Sequence, residues 1–223
     1  MKGTVLGISA SPHKGGKVET LVQEILTASR LPHEIVRLHE IHVRPCKACN
    51  ACRPDNTCVL EDDWGTLAQK IRSAHAVVIG SWAFSGMIDS ATKAVMERFW
   101  SLRHHRQLAR GKVGAVAVVG INPDLAGNLA DALLQFMRNN GIQALGRVTA
   151  TGANPCLGCA DSLHDCEYSN VVAQYGFLER TGAGMYNPIE NQLSALKAAR
   201  ILGQRIGHKV QHLMARGVGA EIS

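Results

Sequence analysis

"GTVLGISASPHKGGKVETL", residues 3–21, contains one strand–loop–helix unit, and its reading decides the fold. Residues 3–9, "GTVLGIS", are a short apolar run of strand length. A Gly/Ser/Pro turn follows, after which Val18, Leu21, Ile25 and Ala28 recur at the spacing of one helix face. The same alternation continues down the chain. "HEIVRLH" (33–39) alternates like a strand, and Asp62 and Asp63 open a helix reaching about Ser73, as acidic residues favour a helix N-terminus. "AVVIGS" (76–81) is a buried-strand run, and Ala91, Val95, Phe99 and Leu102 mark the helix after it. "VGAVAVVG" (113–120) leads into a helix bearing Leu129, Leu133 and Phe136, and "IQALGRVTA" (142–150) is the fifth strand. A long irregular stretch, 151–187, precedes a final helix expected from near Pro188, a good first-turn residue, to about Arg216. Five strands separated by helices predict an α/β fold with a doubly wound, five-stranded parallel sheet. One domain over 1–223 is expected, carrying a cysteine-rich loop at 44–60 and an insertion at 151–187.

Sheets of this kind bind ligands at the carboxyl ends of their strands, at the topological switch point. The loops concerned are "SASPHKGGK" (9–17) and "SWAFSGMID" (81–89). Three phosphate-binding templates compete for the first. The dinucleotide fingerprint G-x-G-x-x-G is missing from "GISASP". In "SPHKGGKV" a P-loop would need glycine at Ser11 and a hydroxyl at Val18, which argues against ATP. A mononucleotide phosphate held by hydroxyls and backbone amides at a helix N-terminus suits Ser9, Ser11, His13, Lys14, Gly15, Gly16 and Lys17. A plain polar turn is the alternative.

At 223 residues the chain is long enough to bury a full core, and 46% hydrophobic with 19% charged residues is an ordinary globular composition. No apolar run approaches the ~18 residues of a membrane span. The first residues, "MKGTVLGISASPHKGG", are glycine-broken and unlike a secretion signal, so a cytoplasmic protein is expected. The net charge of +6 and pI near 9.1 raise the question of nucleic acid. Apart from "LRHHRQLARGK" (102–112) the basic residues are scattered, and aromatics make up only 4%, which argues against it.

All seven cysteines lie in two patches outside the apolar runs, a placement that points to their sulfur rather than to packing. The first is "CKACNACRPDNTC", with Cys46, Cys49, Cys52 and Cys58. Disulfides belong to secreted chains, and structural zinc prefers two separated pairs. Successive x2 spacings with a fourth cysteine six residues on let one loop wrap a cuboidal cluster, as in ferredoxin C-x2-C-x2-C runs. Zinc and free thiols remain as alternatives. The second patch, "NPCLGCADSLHDC", carries Cys156, Cys159 and Cys166 and leaves one ligand position open. His164, Asp165, a substrate or another subunit would fill it. A second cluster, a zinc site with His164 and a redox-active Cys156–Cys159 pair are the readings.

"GISASPHKGGKVETL", the C-x2-C-x2-C-x5-C run after strand two, and "GSWAFSGMIDSATKAVMER" after strand three together resemble the iron–sulfur flavoproteins. These belong to the NAD(P)H-dependent FMN reductase branch of the flavodoxin-like superfamily. The likeness covers about residues 2–150, and the last helix fits it. The resemblance implies a flavodoxin-like fold, FMN, and a 4Fe–4S cluster on Cys46, Cys49, Cys52 and Cys58. Against the usual loop S-P-R-K-N-G-N-T, this chain keeps Ser11, Pro12, Lys14 and Gly16. It has His13 for the arginine, Lys17 for the asparagine and Val18 for the threonine, with Lys17 supplying charge for a lost hydroxyl. Where the family has S-P-x-Y-x-G, Ser81, Trp82, Ala83, Phe84 and Gly86 stand here and are implied to line the isoalloxazine ring. Trp82 or Phe84 would stack on it, unless both merely pack between sheet and helix. Asn122, in "GINPD", is a further candidate for the flavin edge. A cluster with four thiolates carries about −2 and a flavin phosphate up to about −2, offsetting much of the positive charge. The family also implies a homo-oligomer, a dimer or tetramer, with cluster and flavin from adjacent subunits close together.

The expected function is electron transfer between a one-electron and a two-electron carrier, since flavin exchanges electrons in pairs or singly and a cluster only singly. The expected partners are a redox protein such as a ferredoxin, or NAD(P)H. No acid–base pair or nucleophilic triad is required. One rival is an NAD(P)H-dependent flavin, quinone or nitro reductase with structural zinc, which the x2/x2/x5 spacing opposes. The other is a non-enzymatic redox-sensing module, which loop 9–17 opposes. Residues 168–187 read as a lid, a subunit contact or a surface loop. In the last helix Leu193, Leu196, Ile206, Val210 and Leu213 oppose Lys197, Arg200, Arg205 and Lys209, so it covers the sheet. His104–His105 is assigned no role.

Overall fold

The computed structural model describes residues 3–104, 106–159, 166–176 and 183–217. β1 (Val5–Ser9) is buried throughout and lies between two parallel neighbours, β2 (His33–Arg37) and β3 (Ala76–Phe84). β5 (Val113–Gly120) and β6 (Gln143–Thr151) extend the sheet beyond β3, giving the order β2-β1-β3-β5-β6 with every pair parallel. This is the expected five-stranded sheet. A sixth strand, β4 (Met87–Ile88), pairs antiparallel with the end of β3.

The apolar runs of the central strands alternate between two cores. Leu6, Ile8, Val77, Ile79, Val116 and Val118 face one side, where Trp64, Phe99 and Leu133 cover them. Val5, Val78, Ala115 and Ala117 face the other, against Leu21, Ile25 and Ile206. The covering helices are therefore α2 (Trp64–Ser73), α3 (Ser90–Arg98) and α4 (Pro123–Asn139) on one face, and α1 (Lys17–Ala28) and α6 (Leu193–Ala215) on the other. α6 crosses α1 backbone to backbone. A Cβ on Gly203 would lie 2.2 Å from the Ile25 carbonyl oxygen, and one on Gly207 2.2 Å from that of Ser29.

Several boundaries differ from expectation, each for a local reason. The third helix stops at Arg98 and continues as a 3-10 turn, Phe99–Leu102, that still buries Phe99 and Leu102. The last helix begins at Leu193 rather than near Pro188, which instead caps a 3-10 turn, Ile189–Asn191. The Gln192 side chain holds that junction, its amide donating to the Thr151 and Asn187 carbonyls while its oxygen accepts from Thr151 N–H. Segment 151–187 is not wholly irregular: α5 (Asn170–Tyr175) lies within it, capped by Ser169 Oγ, which accepts from Val171 and Val172 N–H. No described helix is long and apolar enough to cross a membrane.

Candidate functional site

Two of the loops singled out in the sequence meet at the carboxyl edge of the sheet. Loop 9–17 leaves β1 and enters α1 through Gly16, the N-cap, which has no side chain to satisfy the first turn. The N–H groups of Lys17, Val18 and Glu19 therefore have no partner within the helix, and the helix dipole adds positive potential there. Ser9 is fully buried and its Oγ accepts from Ser11 N–H at 3.3 Å. Ser11 Oγ donates to the His13 carbonyl at 2.6 Å, which folds the loop back on itself. A Cβ on Gly16 would lie 2.5 Å from Ser11 Oγ, so the turn closes only around glycine. His13 and Lys14 are exposed on the rim, and Val18 is buried in the core. The Lys17 ammonium donates one of its three N–H bonds to the Tyr186 carbonyl at 2.7 Å, and burial lowers its pKa despite Glu190 nearby. Glu19 would repel an anion here, but Arg37 binds it in bidentate fashion at 2.9 and 2.6 Å.

The second segment, 81–89, is not a loop but a hairpin. β3 runs on to Phe84, and Ala83 and Phe84 pair with Ile88 and Met87 across Ser85–Gly86. Both turn residues have positive φ, 47° and 82°, the geometry that suits a tight hairpin and glycine at the second position. Buried Asp89 locks its base, accepting from Ser81 Oγ (2.6 Å), Thr92 N–H (2.8 Å) and Thr92 Oγ1 (2.7 Å). Ser81 is thus a scaffold residue. Phe84 and Met87 are 62% and 68% exposed, and register places Trp82 beside Val119. Trp82 is half-buried with its ring edge-on to Phe84 at 5.5 Å, and its Nε1–H is buried without a partner. Asn122 caps α4, its Oδ1 accepting from Leu125 N–H at 2.8 Å. An amide-capped helix start, an apolar hairpin and an orphaned indole donor fit a phosphorylated flat heterocycle.

The first cysteine patch closes on one cavity. Cys46, Cys49, Cys52 and Cys58 line it together with Arg98 and Trp100. None of the four is in a disulfide. Ala48 and Asn50 adopt left-handed φ values of 52° and 58°, a conformation costing a non-glycine residue about 1 kcal/mol or more. That winding places Ala48 N–H 3.4 Å from Cys46 Sγ, a donor aimed at the sulfur. Cys46 N–H donates to Glu97 Oε2, and Trp100 Nε1–H to Asn50 Oδ1, which ties the loop to α3 and the turn after it. Burial raises the Cys52 pKa, and the thiols of Cys58, Cys46 and Cys49 raise it further. Four thiols of one loop on one cavity form a set of soft sulfur donors, the kind that thiolate-ligated metal sites use. Among the described residues, no group of three His, Cys, Asp or Glu side chains closes around a single ion position, at either cysteine patch.

Beneath the cavity lies a pair that sequence reading missed. The side chain of Asp62, which reads as a helix-opening acid, is fully buried and binds Arg98 through both oxygens at 2.6 and 3.0 Å. It also accepts from Arg44 and Trp64 N–H. Burial pushes its carboxyl upward, yet these bonds outweigh it and hold the pKa at about 2. Periodicity gave no sign of it, because Asp62 precedes α2 and Arg98 ends α3.

The second patch stands apart from that cavity. Cys156 lies in a 3-10 turn capped by Asn154, and Cys159 N–H donates to the Cys156 carbonyl. The Cys166 carbonyl accepts from Ser169 N–H just ahead of α5. His164 and Asp165, the candidate fourth ligands, lie outside the described residues, as does His105. Beside this patch a cavity of about 500 Å³ opens at the ends of β5 and β6, bordered by Asn122, Thr151, Asn154, Asn170, Gln174 and Asn187.

The NADPH-dependent FMN reductase family model matches residues 4–154. An iron–sulfur flavoprotein of Methanosarcina thermophila is 32% identical over 119 residues, 52% of this chain and 62% of the relative. Another, of Methanocaldococcus jannaschii, is 34% identical over 119 residues, 52% and 61% of the two chains. The match spans about three-fifths of the length of these curated relatives. Among solved structures, RosB with a bound 8-demethyl-8-formylriboflavin-5′-phosphate intermediate has a TM-score of 0.68 at 16% identity, covering 96% of this chain and 81% of its own. A flavodoxin from the domain Archaea gives 0.52 at 12%, with 94% and 99% covered. At such identities the likeness shows the fold, which is flavodoxin-like.

Proposed function

The chain belongs to the NADPH-dependent FMN reductase family, and from that premise we propose an FMN-dependent oxidoreductase that holds a 4Fe–4S cluster on Cys46, Cys49, Cys52 and Cys58. It passes electrons between a two-electron carrier, read as NAD(P)H from the family, and a one-electron carrier such as a ferredoxin. The single observation that carries this reading is the convergence of all four cysteines of one loop on one cavity. The iron–sulfur flavoprotein names of two relatives support it. Flavin supplies exchange of electrons in pairs or singly, and the cluster supplies single-electron exchange.

The chain's own residues prepare both sites. The N–H groups of Lys17, Val18 and Glu19 receive the FMN phosphate, while Ser11 and Gly16 hold the loop in shape and Lys14 and His13 add charge at the rim. Phe84 and Met87 would exclude water from one side of the ring, and Trp82 Nε1–H is a donor for it. Ala48 N–H stabilises thiolate at Cys46. A homo-oligomer belongs to the proposal, because the exposed hairpin tip and the cluster loop are both surfaces where a second subunit would bring the two cofactors together.

Replacing Cys49 by serine tests the reading. The Cys49→Ser variant is expected to lose the broad visible absorbance of the cluster and its iron, while retaining about one FMN per chain. Unchanged iron and sulfide in that variant would remove Cys49 from the ligand set and sink the proposal.

A further inference from the structure

Arg98 is the last residue of α3 and is 1% exposed. A guanidinium so placed is stable only if its donors find acceptors. Nη1 donates to Asp62 Oδ2 (2.6 Å) and to the Arg44 carbonyl (2.9 Å), and Nη2 donates to Asp62 Oδ1 (3.0 Å). The Trp64 ring, 5.5 Å from the guanidinium carbon, fixes its plane. Nε–H is different: it is buried and has no partner. The same side chain lines the cavity ringed by Cys46, Cys49, Cys52 and Cys58, and it interacts with the Cys58 thiol.

A purely structural ion pair does not account for that arrangement. Asp62 already matches the guanidinium geometry, so nothing in the pair requires an unmet donor or a place on the cysteine cavity. Electron-rich sulfur would satisfy both. From this geometry we infer that Arg98 is a positioning residue for the cluster, donating from Nε–H to the sulfur shell at Cys58 and presenting a buried positive charge to it. Asp62 holds the guanidinium in place and keeps it from turning away. Hydrogen bonds and charge at the sulfurs favour the state with one more electron, so Arg98 raises the reduction potential of the cluster. The inference rests on the cluster reading above.

The test is a redox titration of purified holoprotein, following the cluster by EPR and the flavin by absorbance, with iron, sulfide and FMN counted first. Two variants are compared with the unaltered chain. Arg98→Lys keeps the charge but loses the fork and Nε–H. The double variant Asp62→Asn with Arg98→Met removes the pair together, so that no buried carboxylate is stranded. Both are expected to shift the cluster midpoint to more negative potential, the double variant more, while the flavin midpoint stays in place. A role in folding alone would lower thermal stability and leave the cluster potential unmoved, and that result in a fully loaded Arg98→Lys protein would overturn the inference. An unaltered chain without iron and sulfide would instead remove the cluster reading itself.

Discussion

Gly16 shows how a single residue sets the candidate phosphate site. Its φ and ψ, −67° and 167°, are open to any residue, so its role is space rather than backbone freedom. An added Cβ would meet Ser11 Oγ at 2.5 Å and the His13 carbonyl at 3.0 Å. Gly16→Ala is therefore expected to push loop 9–17 out of shape and weaken FMN binding by about tenfold, on the order of 1.4 kcal/mol. Quenching of flavin fluorescence during titration of the apoprotein measures this, and an unchanged Kd would mean that the loop does not cradle the phosphate. Residues of this kind were legible in the sequence because glycines, serines and lysines were crowded between a strand and a helix. Their individual roles were not. Ser11 and Lys17 read as phosphate ligands, and in the structure Ser11 Oγ donates to the His13 carbonyl while Lys17 uses one of its three N–H donors on the Tyr186 carbonyl. The pairing of Arg98 with Asp62 gave no signal, since 36 residues separate the partners and the segments that hold them read only as the end of one helix and the start of another.

At the scale of elements, the alternation of apolar runs and amphipathic stretches was enough to order the sheet, because buried parallel strands carry unbroken Val, Ile and Ala runs. It failed where a tertiary contact set the boundary. β3 reads as ending at Ser81, yet Asp89 draws the following residues into a hairpin through Ser81 and Thr92. The last helix was legible as sheet-covering, while its close crossing of α1 depends on Gly203 and Gly207, which periodicity treats as blanks. Gly203→Ala would place a methyl 2.2 Å from the Ile25 carbonyl oxygen. Overpacking of this kind costs about 1–3 kcal/mol, so Tm is expected to fall by roughly 2–4 °C for each kcal/mol lost. Thermal unfolding followed by circular dichroism reads it, and an unaltered Tm would argue against so tight a crossing of α1 and α6.

Across the whole molecule, the sheet places its two sites by one device. Parallel strands all discharge their loops at one edge, so the loop after β1, the hairpin at the end of β3 and the start of α4 all lie at the carboxyl end of the sheet. The cysteine loop after β2 is pinned beside that edge by α3, through Glu97 and Arg98, and by the turn after it, through Trp100. The proposed two-electron and one-electron sites would thereby be carried on the same scaffold, which is what the proposed electron-transfer role asks of a fold. The central claim, that this chain carries FMN together with one cluster on Cys46, Cys49, Cys52 and Cys58, is tested most directly by anaerobic purification followed by counting iron, acid-labile sulfide and flavin per chain. The account predicts about four irons, four sulfides and one FMN, as expected of one [4Fe–4S] cluster with its flavin. Zinc without sulfide would contradict it and leave, at most, a flavin reductase with a structural metal.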